Sequence, residues 1–138
     1  MKIKNLMSNK LITVKLDDDL AKIKEIFDNS NFHHLLVIEN TKLFGVISDR
    51  DLLKSISPNV DTIAATEKDL FSLNKRAHQI MTRNPITINE DAAITEAVQL
   101  FNSNNISCIP VIDKNQKPVG IISWRDIIRL LFENIKKP

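Results

Sequence analysis

The chain repeats itself, and this constrains its fold more than any other feature of the sequence. The heptad GVISDRD at Gly45–Asp51 corresponds to GIISWRD at Gly120–Asp126 in the second half. Matches such as Met7 with Met81 lie 74 residues apart, and the spacing becomes 75 at the glycines because one residue has been added in the turn before them. Two copies of one unit predict two copies of one fold and of one kind of site.

Composition excludes several functional classes. The 138 residues are 43% hydrophobic, which is enough for an ordinary core in one compact domain or two small packed halves. The net charge of +2 leaves no basic stripe for nucleic acid. The single cysteine, Cys108, allows no internal disulfide and is expected to be a small buried side chain. No stretch approaches the ~20 apolar residues that span a bilayer, so we expect a cytoplasmic protein without membrane or nucleic-acid partners.

Each copy has the same α+β pattern of strand, helix, strand, strand and helix. In the first copy, Asp17 or Asp18 is expected to cap the first helix and Ser48 the second. The predicted elements of the first copy are a strand at 11–14, a helix ending before 28, a hairpin of strands 35–38 and 43–47, and a helix at 49–56. Those of the second are a strand at 86–88, a helix at 91–102, strands at 109–112 and 119–122, and a helix at 123–135.

These elements divide the chain into a first repeat at 1–56, a linker at 57–75 and a second repeat at 76–138. Pro58 ends the helix before the linker. Residues 66–76 are consistent with a helical turn or two, but their apolar positions form no continuous face. The linker is therefore expected to be a long connection laid across the surface or mediating contact with a second copy.

The Ser-x-x-Asp pattern that ends each heptad admits two interpretations. Ser48 with Asp51, and Ser123 with Asp126, are what a helix cap needs for stability alone. A carboxylate in a first helical turn also accepts hydrogen bonds from two neighbouring hydroxyls, so the same aspartates suit a ribose diol, with the serine hydroxyl near the ligand. The presence of both copies in one architecture favours binding for at least one of them.

The ordered set of elements, used twice and ending in glycine, two aliphatics, Ser and a following Asp, resembles the tandem CBS domain, the Bateman module named after cystathionine beta-synthase. Ile109-Pro110-Val111-Ile112 is also similar to the second-strand signature of that family, from which the first copy departs with Leu36. The resemblance implies two three-stranded sheets packed with pseudo-two-fold symmetry around two clefts. In that family the clefts bind adenosine-containing molecules such as AMP, ADP, ATP or S-adenosylmethionine, and the bound ligand regulates a partner, so the same is expected of this chain.

The resemblance also implies that the clefts are built crosswise, with apolar residues around the adenine and Arg50 or Arg125 at phosphates. One expected cleft is formed by Ser123, Arg125, Asp126, Leu11, Phe32 and His33. The other is formed by Ser48, Arg50, Asp51, Pro85, Ile106 and Ser107. Because Asp49 adds a negative charge to the second set where the first has Trp124, phosphate-rich ligands are expected to prefer the cleft of Asp126.

No metal site is expected, because His33 and His34 are adjacent in a strand and point to opposite faces. No nucleophile, base and orienting group occur together, so an enzyme is not expected. The leading hypothesis is a stand-alone regulatory module, forming a homodimer through its helices and acting on an unidentified partner protein. The alternatives are an interaction scaffold with empty clefts and, more remotely, a small enzyme.

Overall fold

The computed structural model describes residues 1–136, which form two compact units. The first-repeat unit is Ile12–Pro85, and the second-repeat unit joins Met1–Leu11 to the chain from Ile86 onward. The strands are β1 (Thr13–Val14), β2 (His34–Glu39), β3 (Lys42–Ser48), β4 (Thr82–Arg83), β5 (Ile88–Asn89), β6 (Cys108–Ile112) and β7 (Pro118–Ser123). The α-helices are α1 (Leu20–Asp28), α2 (Asp49–Ser55), α3 (Glu67–Phe71), α4 (Ala77–Ile80), α5 (Ile94–Ser103) and α6 (Trp124–Lys136).

The first-repeat unit contains a sheet in the order β1-β2-β3-β4. The parallel pair β1-β2 and the antiparallel hairpin β2-β3 follow the predicted pattern. The fourth strand corrects the expectation of a three-stranded sheet, because Thr82–Arg83 pairs with Gly45 and Val46. The core of this unit combines apolar residues of β1–β3 and three helices: Val14, Leu20, Ile23, Leu35, Val37, Ile47, Leu52, Ala77 and Met81.

The second-repeat unit contains the sheet β5-β6-β7 with the same parallel and antiparallel pairings. In place of a fourth strand, Ser8 makes a single antiparallel bridge to Ile121. Its hairpin turn holds the added residue that the repeat spacing predicts, with Gln116 at a φ of 63°. The core of this unit is Ile3, Ile88, Ile94, Ala97, Phe101, Ile109, Val111, Ile122 and Ile127.

Each unit therefore includes a segment that the sequence places before the other repeat. Met7 packs on Gly120 of β7, and Met81 packs on Gly45 of β3. A Cβ atom at Gly120 would lie 2.9 Å from the carbonyl oxygen of Ser8, and one at Gly45 would lie 2.8 Å from that of Thr82. Only glycine allows the exchanged backbone to approach so closely.

Two helix starts differ from the predictions. Helix α5 begins at Ile94 rather than at Asp91, because the Ile94 amide donates to the carbonyl of Met1 at 3.1 Å and no side chain caps it. Helix α1 is capped by Asp19, whose Oδ1 accepts from the Lys22 amide at 3.0 Å. The prediction of Asp17 or Asp18 was wrong, because the Asp18 carboxylate accepts from the Lys15 amide in the preceding turn.

The connection between the repeats is ordered by polar contacts within the first-repeat unit. The short α3 and a 3-10 turn at Ser72–Asn74 supply the helical turns that the sequence suggested. The Ser57 hydroxyl donates to Asp69 Oδ1 at 2.6 Å, and Lys24 of α1 lies 2.9 Å from Asp61. The connection thus folds on its own unit and forms no third domain.

Candidate functional site

The first Ser-x-x-Asp pattern forms a complete capping box where β3 ends and α2 begins. The Asp51 amide donates to Ser48 Oγ at 3.0 Å, and the Ser48 amide donates to Asp51 Oδ2 at 2.9 Å. Both residues are half-buried. The box uses only Oδ2 of the Asp51 carboxylate, so Oδ1 takes no part in the cap.

The second pattern lies between β7 and α6 and shares with the first the hydrogen bond from the serine amide to the aspartate. The Ser123 amide donates to Asp126 Oδ2 at 2.8 Å, and the Ser123 hydroxyl lies 3.1 Å from the same oxygen. The other oxygen, Oδ1, is 3.9 Å from Arg129 Nη1. The side chain of Asp126 is only 15% exposed, which is low for a surface carboxylate.

A third box of this kind lies outside the repeats, at the start of α3. The Thr66 amide donates to Asp69 Oδ2 at 2.8 Å, and the Asp69 amide donates to Thr66 Oγ1 at 3.2 Å. The pattern by itself is therefore a helix cap. Any further role of Asp51 and Asp126 must therefore depend on the residues around them.

In the first-repeat unit, the residues before β2 lie beside the start of α2. The Asp49 amide donates to the carbonyl of His33 at 2.9 Å, and His33 Nδ1 lies 2.9 Å from Asp49 Oδ2. Burial tends to raise the pKa of Asp49, but the hydrogen bonds from His33 and from the Arg50 amide outweigh it and hold this pKa below its usual value. Burial lowers the pKa of His34, the next residue, although Asp49 and Asp51 oppose the shift.

In the second-repeat unit, Trp124 makes the equivalent link with different chemistry. Its amide donates to the carbonyl of Ser107 at 3.3 Å, and its indole Nε1 donates to the carbonyl of Ile106 at 3.2 Å. The indole ring packs against Phe101, with ring centroids 5.3 Å apart. The residues before β6 are thereby fixed to the start of α6.

Trp124 also lines a groove of about 390 Å³ between α5 and α6, which was not predicted from the sequence. Val98 and Gln99 of α5 form its other wall, with Ile127 below. The sequence shows apolar residues at helical spacing in α6, but this pattern does not distinguish residues that line a groove from residues that pack in a core.

The predicted site residues fall into two groups when each unit is taken by itself. The first-repeat unit brings Phe32 and His33 close to the capping box of Asp51, and it also contains Arg50 and Pro85. The second-repeat unit brings Ile106 and Ser107 close to the capping box of Asp126, and it also contains Leu11 and Arg125. Arg50 and Arg125 are exposed. The crosswise combination of these residues stays a prediction.

Two features of residues 1–136 bear on other classes of function. No group of three His, Cys, Asp or Glu side chains in this part of the chain is arranged to hold a metal ion. None of its helices has the length and apolar character needed to cross a bilayer.

With the fold and both capping boxes in place, comparison with known proteins assigns the class. The profile of the CBS domain matches residues 3–58 and 77–133, which is most of the chain. The chain therefore belongs to the CBS domain family and carries the domain twice. The resemblance inferred from the repeated heptad is confirmed, and so is the α+β tandem fold.

Among its relatives, a CBS domain-containing protein of Dictyostelium discoideum is 32% identical over 95% of this chain and 91% of its own length. An L-aspartate semialdehyde sulfurtransferase of Methanocaldococcus jannaschii is 31% identical over 93% of this chain. The match covers only 23% of that enzyme and 26% of a homoserine O-acetyltransferase of Methanohalobium evestigatum. In such proteins the similar part is one segment of a longer chain.

Solved structures agree with this assignment. The CBS domain pair of protein MJ0100, crystallised with 5′-methylthioadenosine and S-adenosyl-L-methionine, superposes with a TM-score of 0.79. It is 28% identical, and the match covers 97% of this chain and 98% of that one. CBSX2 in complex with AMP superposes with a TM-score of 0.78 at 22% identity, over 98% of each chain, and this likeness shows the shared fold.

Proposed function

We propose that the protein is a regulatory CBS pair that binds adenosine-containing ligands and passes their presence to a partner protein. The observation that carries this proposal is the pair of capping boxes, in which Asp51 and Asp126 each keep Oδ1 outside the cap. The complex of the MJ0100 pair with two adenosyl compounds supports the ligand class, which includes AMP, ADP, ATP and S-adenosylmethionine. The module acts by binding and does not turn its ligand over.

The proposed contacts follow from the chemistry of these groups. Each aspartate accepts hydrogen bonds from the ribose diol through the carboxylate oxygen that the cap leaves unused. Apolar residues of the crosswise sets, such as Phe32 with Leu11 and Ile106 with Pro85, pack on the two faces of the adenine. The exposed guanidinium groups of Arg50 and Arg125 pair with phosphate oxygens where a ligand carries them.

A thermal-shift series with adenosine, AMP, ATP, S-adenosylmethionine and GMP tests the proposal. A ligand at about a hundred times its dissociation constant adds roughly 2.7 kcal/mol to the free energy of unfolding. This corresponds to a rise in Tm of several degrees for a protein of this size. We expect the rise with adenosyl compounds and none with GMP.

Asparagine variants separate binding from capping. Asp51→Asn and Asp126→Asn keep one oxygen to accept the serine amide, but they remove the second carboxylate oxygen from the diol. Each is expected to weaken binding at its own site with little change in Tm without ligand. Asp69→Asn is the control for ligand affinity, because its box lies in the connection and its Oδ1 already accepts from the Ser57 hydroxyl.

The competing function is an interaction scaffold with empty sites, and one observation favours it. Both aspartates already serve as caps, so their presence is explained without a ligand. The absence of any adenosyl-dependent shift would establish this alternative. A shift that is unaffected by both asparagine variants would place the ligand elsewhere in the protein.

We further propose that two copies associate through α6, and that the module works in the cytoplasm. Six apolar residues were predicted to form the contact between two copies, and they differ in exposure in the structure. Leu52 and Ile127 are core residues, Ile56 is half-buried, and three are exposed: Leu53, Ile128 and Leu131. The last two form one stripe of α6 with Trp124 and Ile135, at spacings of four, three and four residues. Such spacing suits helix pairing.

Sedimentation velocity tests this assembly. A charge at the centre of the stripe, in Leu131→Glu, is expected to give monomers while the protein stays folded. Leu53→Glu on α2 is the control at another exposed apolar position. A dimer that persists in Leu131→Glu and is lost in Leu53→Glu would place the interface on the other unit.

A further inference from the structure

The two Ser-x-x-Asp sequences differ at the residue that follows the serine, and this difference has a consequence for ligand choice. Asp49 occupies this position in α2, and Trp124 occupies it in α6. Both residues link their helix to the segment before the neighbouring strand, through His33 in one unit and through Ile106 in the other. The two linking residues occupy matching positions, but only Asp49 carries a charge.

Asp49 is negatively charged at neutral pH, because its pKa lies below the usual carboxylate value. Its side chain remains 47% exposed, so the charge faces solvent beside Asp51. Charged and titratable groups around it are His33, His34, Arg50 and Asp51. The first turn of α2 thus holds two carboxylates against one guanidinium.

The corresponding turn of α6 holds one carboxylate, that of Asp126, and one guanidinium, that of Arg125. Trp124 adds no charge, and its indole is directed to Phe101 and to the carbonyl of Ile106. One turn further on, Arg129 lies 3.9 Å from Asp126, and Lys54 occupies the matching position of α2. The cations of the two helix starts therefore match, and the extra charge of Asp49 is the difference between the surroundings of Asp51 and those of Asp126.

We propose that Asp49 makes the Asp51 site selective for adenosyl compounds without a negative charge at the 5′ position, whereas the Asp126 site accepts nucleotides. This inference rests on the proposed function, in which each aspartate holds a ribose diol. A diol bound to Asp51 fixes the 5′ group within a few ångströms of the first turn of α2. A phosphate there meets the charge of Asp49, but a neutral 5′ group does not.

The expected size of the effect follows from Coulomb's law. Two like charges a few ångströms apart at a protein surface oppose each other strongly enough to change a dissociation constant by more than tenfold. Solvent and salt screen a half-exposed carboxylate, which leaves an expected factor of roughly ten. The effect should decrease as the ionic strength rises.

Adenosine and AMP are the probes that test the inference, because they differ only in the phosphate. Titration calorimetry on Asp126→Asn, at low salt and about pH 8 to keep ordinary imidazoles neutral, isolates the Asp51 site. We expect adenosine to bind more tightly than AMP. Adding Asp49→Asn, which keeps the shape of the side chain, should strengthen AMP binding roughly tenfold and leave adenosine unchanged.

Asp17→Asn is the matched control, because it removes the same charge from a side chain that is 91% exposed. An equal gain in AMP affinity from Asp17→Asn would attribute the effect to net charge and overturn the inference. So would AMP binding as tight as adenosine binding before Asp49 is changed. If Asp126→Asn binds neither probe while the wild-type protein binds both, the inference fails but the proposed function stands.

Discussion

At the scale of single residues, His34 is a half-buried titratable group whose effect on stability has a definite sign. Burial lowers its pKa below the usual value of 6.5, and the nearby carboxylates of Asp49 and Asp51 offset only part of this. The unfolded chain therefore binds a proton more readily than the folded protein does. In the pH range just below 6.5, the free energy of unfolding should rise with pH because of this residue, and its effect disappears above that range.

The prediction is that His34→Gln flattens this rise. Urea unfolding at a series of pH values from about 5 to 8 measures the slope, since the expected range follows the histidine pKa. His78→Gln controls for the loss of an imidazole elsewhere in the same unit. An unchanged slope in His34→Gln would mean that another group produces the pH dependence.

The roles of the two glycines are also explained by the contacts of single residues. Gly45 and Gly120 attract notice in the sequence because they are the only two glycines and they occupy matching positions. Neither glycine has a positive φ angle, so turn formation is not their purpose. Their reason is the close approach of Met81 and Met7, which arrive from distant parts of the chain.

At the scale of elements, the β2-β3 hairpin contains a strained residue. Asn40 and Thr41 have φ angles of 49° and 67°, which both central positions of a type I′ turn require. Asparagine tolerates this conformation, but a β-branched residue such as threonine does so poorly. The predicted turn is confirmed, and its sequence is suboptimal for the conformation it adopts.

Thr41→Gly is therefore expected to stabilise the protein, by about 1 kcal/mol, because glycine relieves the strained backbone. Urea unfolding measures the change. Thr41→Ala, which removes the branch but keeps Cβ, should give a smaller gain and serves as the control. A loss of stability in Thr41→Gly would show that threonine side-chain contacts outweigh the strain.

At the scale of the whole molecule, the compact units and the sequence repeats have different boundaries. Residues 1–56 include the N-terminal segment that packs in the second-repeat unit, but they lack Ala77 and Met81 of their own core. Residues 12–85 contain every described element of the first-repeat unit. The exchange of segments thus determines which pieces of chain are able to fold.

We expect the fragment 12–85 to unfold cooperatively in urea and to give dispersed amide resonances. The fragment 1–56 should show neither property, because its core lacks two fully or nearly buried side chains. Circular dichroism and two-dimensional NMR of the two fragments measure the difference. Cooperative unfolding of 1–56 alone would mean that the first repeat is independent of the exchanged segment.

The sequence by itself determined the duplication, the order of elements and the two capping boxes. The duplication is recognised from matches 74 or 75 residues apart, whereas the elements and caps depend on spacing within about fifteen residues, where periodicity and capping chemistry act locally. It also identified Ser48 with Asp51 and Ser123 with Asp126 as paired residues. Helix starts were less well predicted, because the carbonyl of Met1 accepts from the Ile94 amide and because Asp19, rather than Asp17 or Asp18, caps the first helix.

Only the tertiary structure decided which segment completes which unit, because the packing of Met7 on Gly120 joins residues more than a hundred positions apart. It also revealed that Asp49 bonds to His33 and Trp124 to Ile106, contacts that need two elements to be placed side by side. Local sequence sets the conformation of each element at low entropic cost. Contacts between distant segments depend on the shape of the complete core, which no short stretch of sequence specifies.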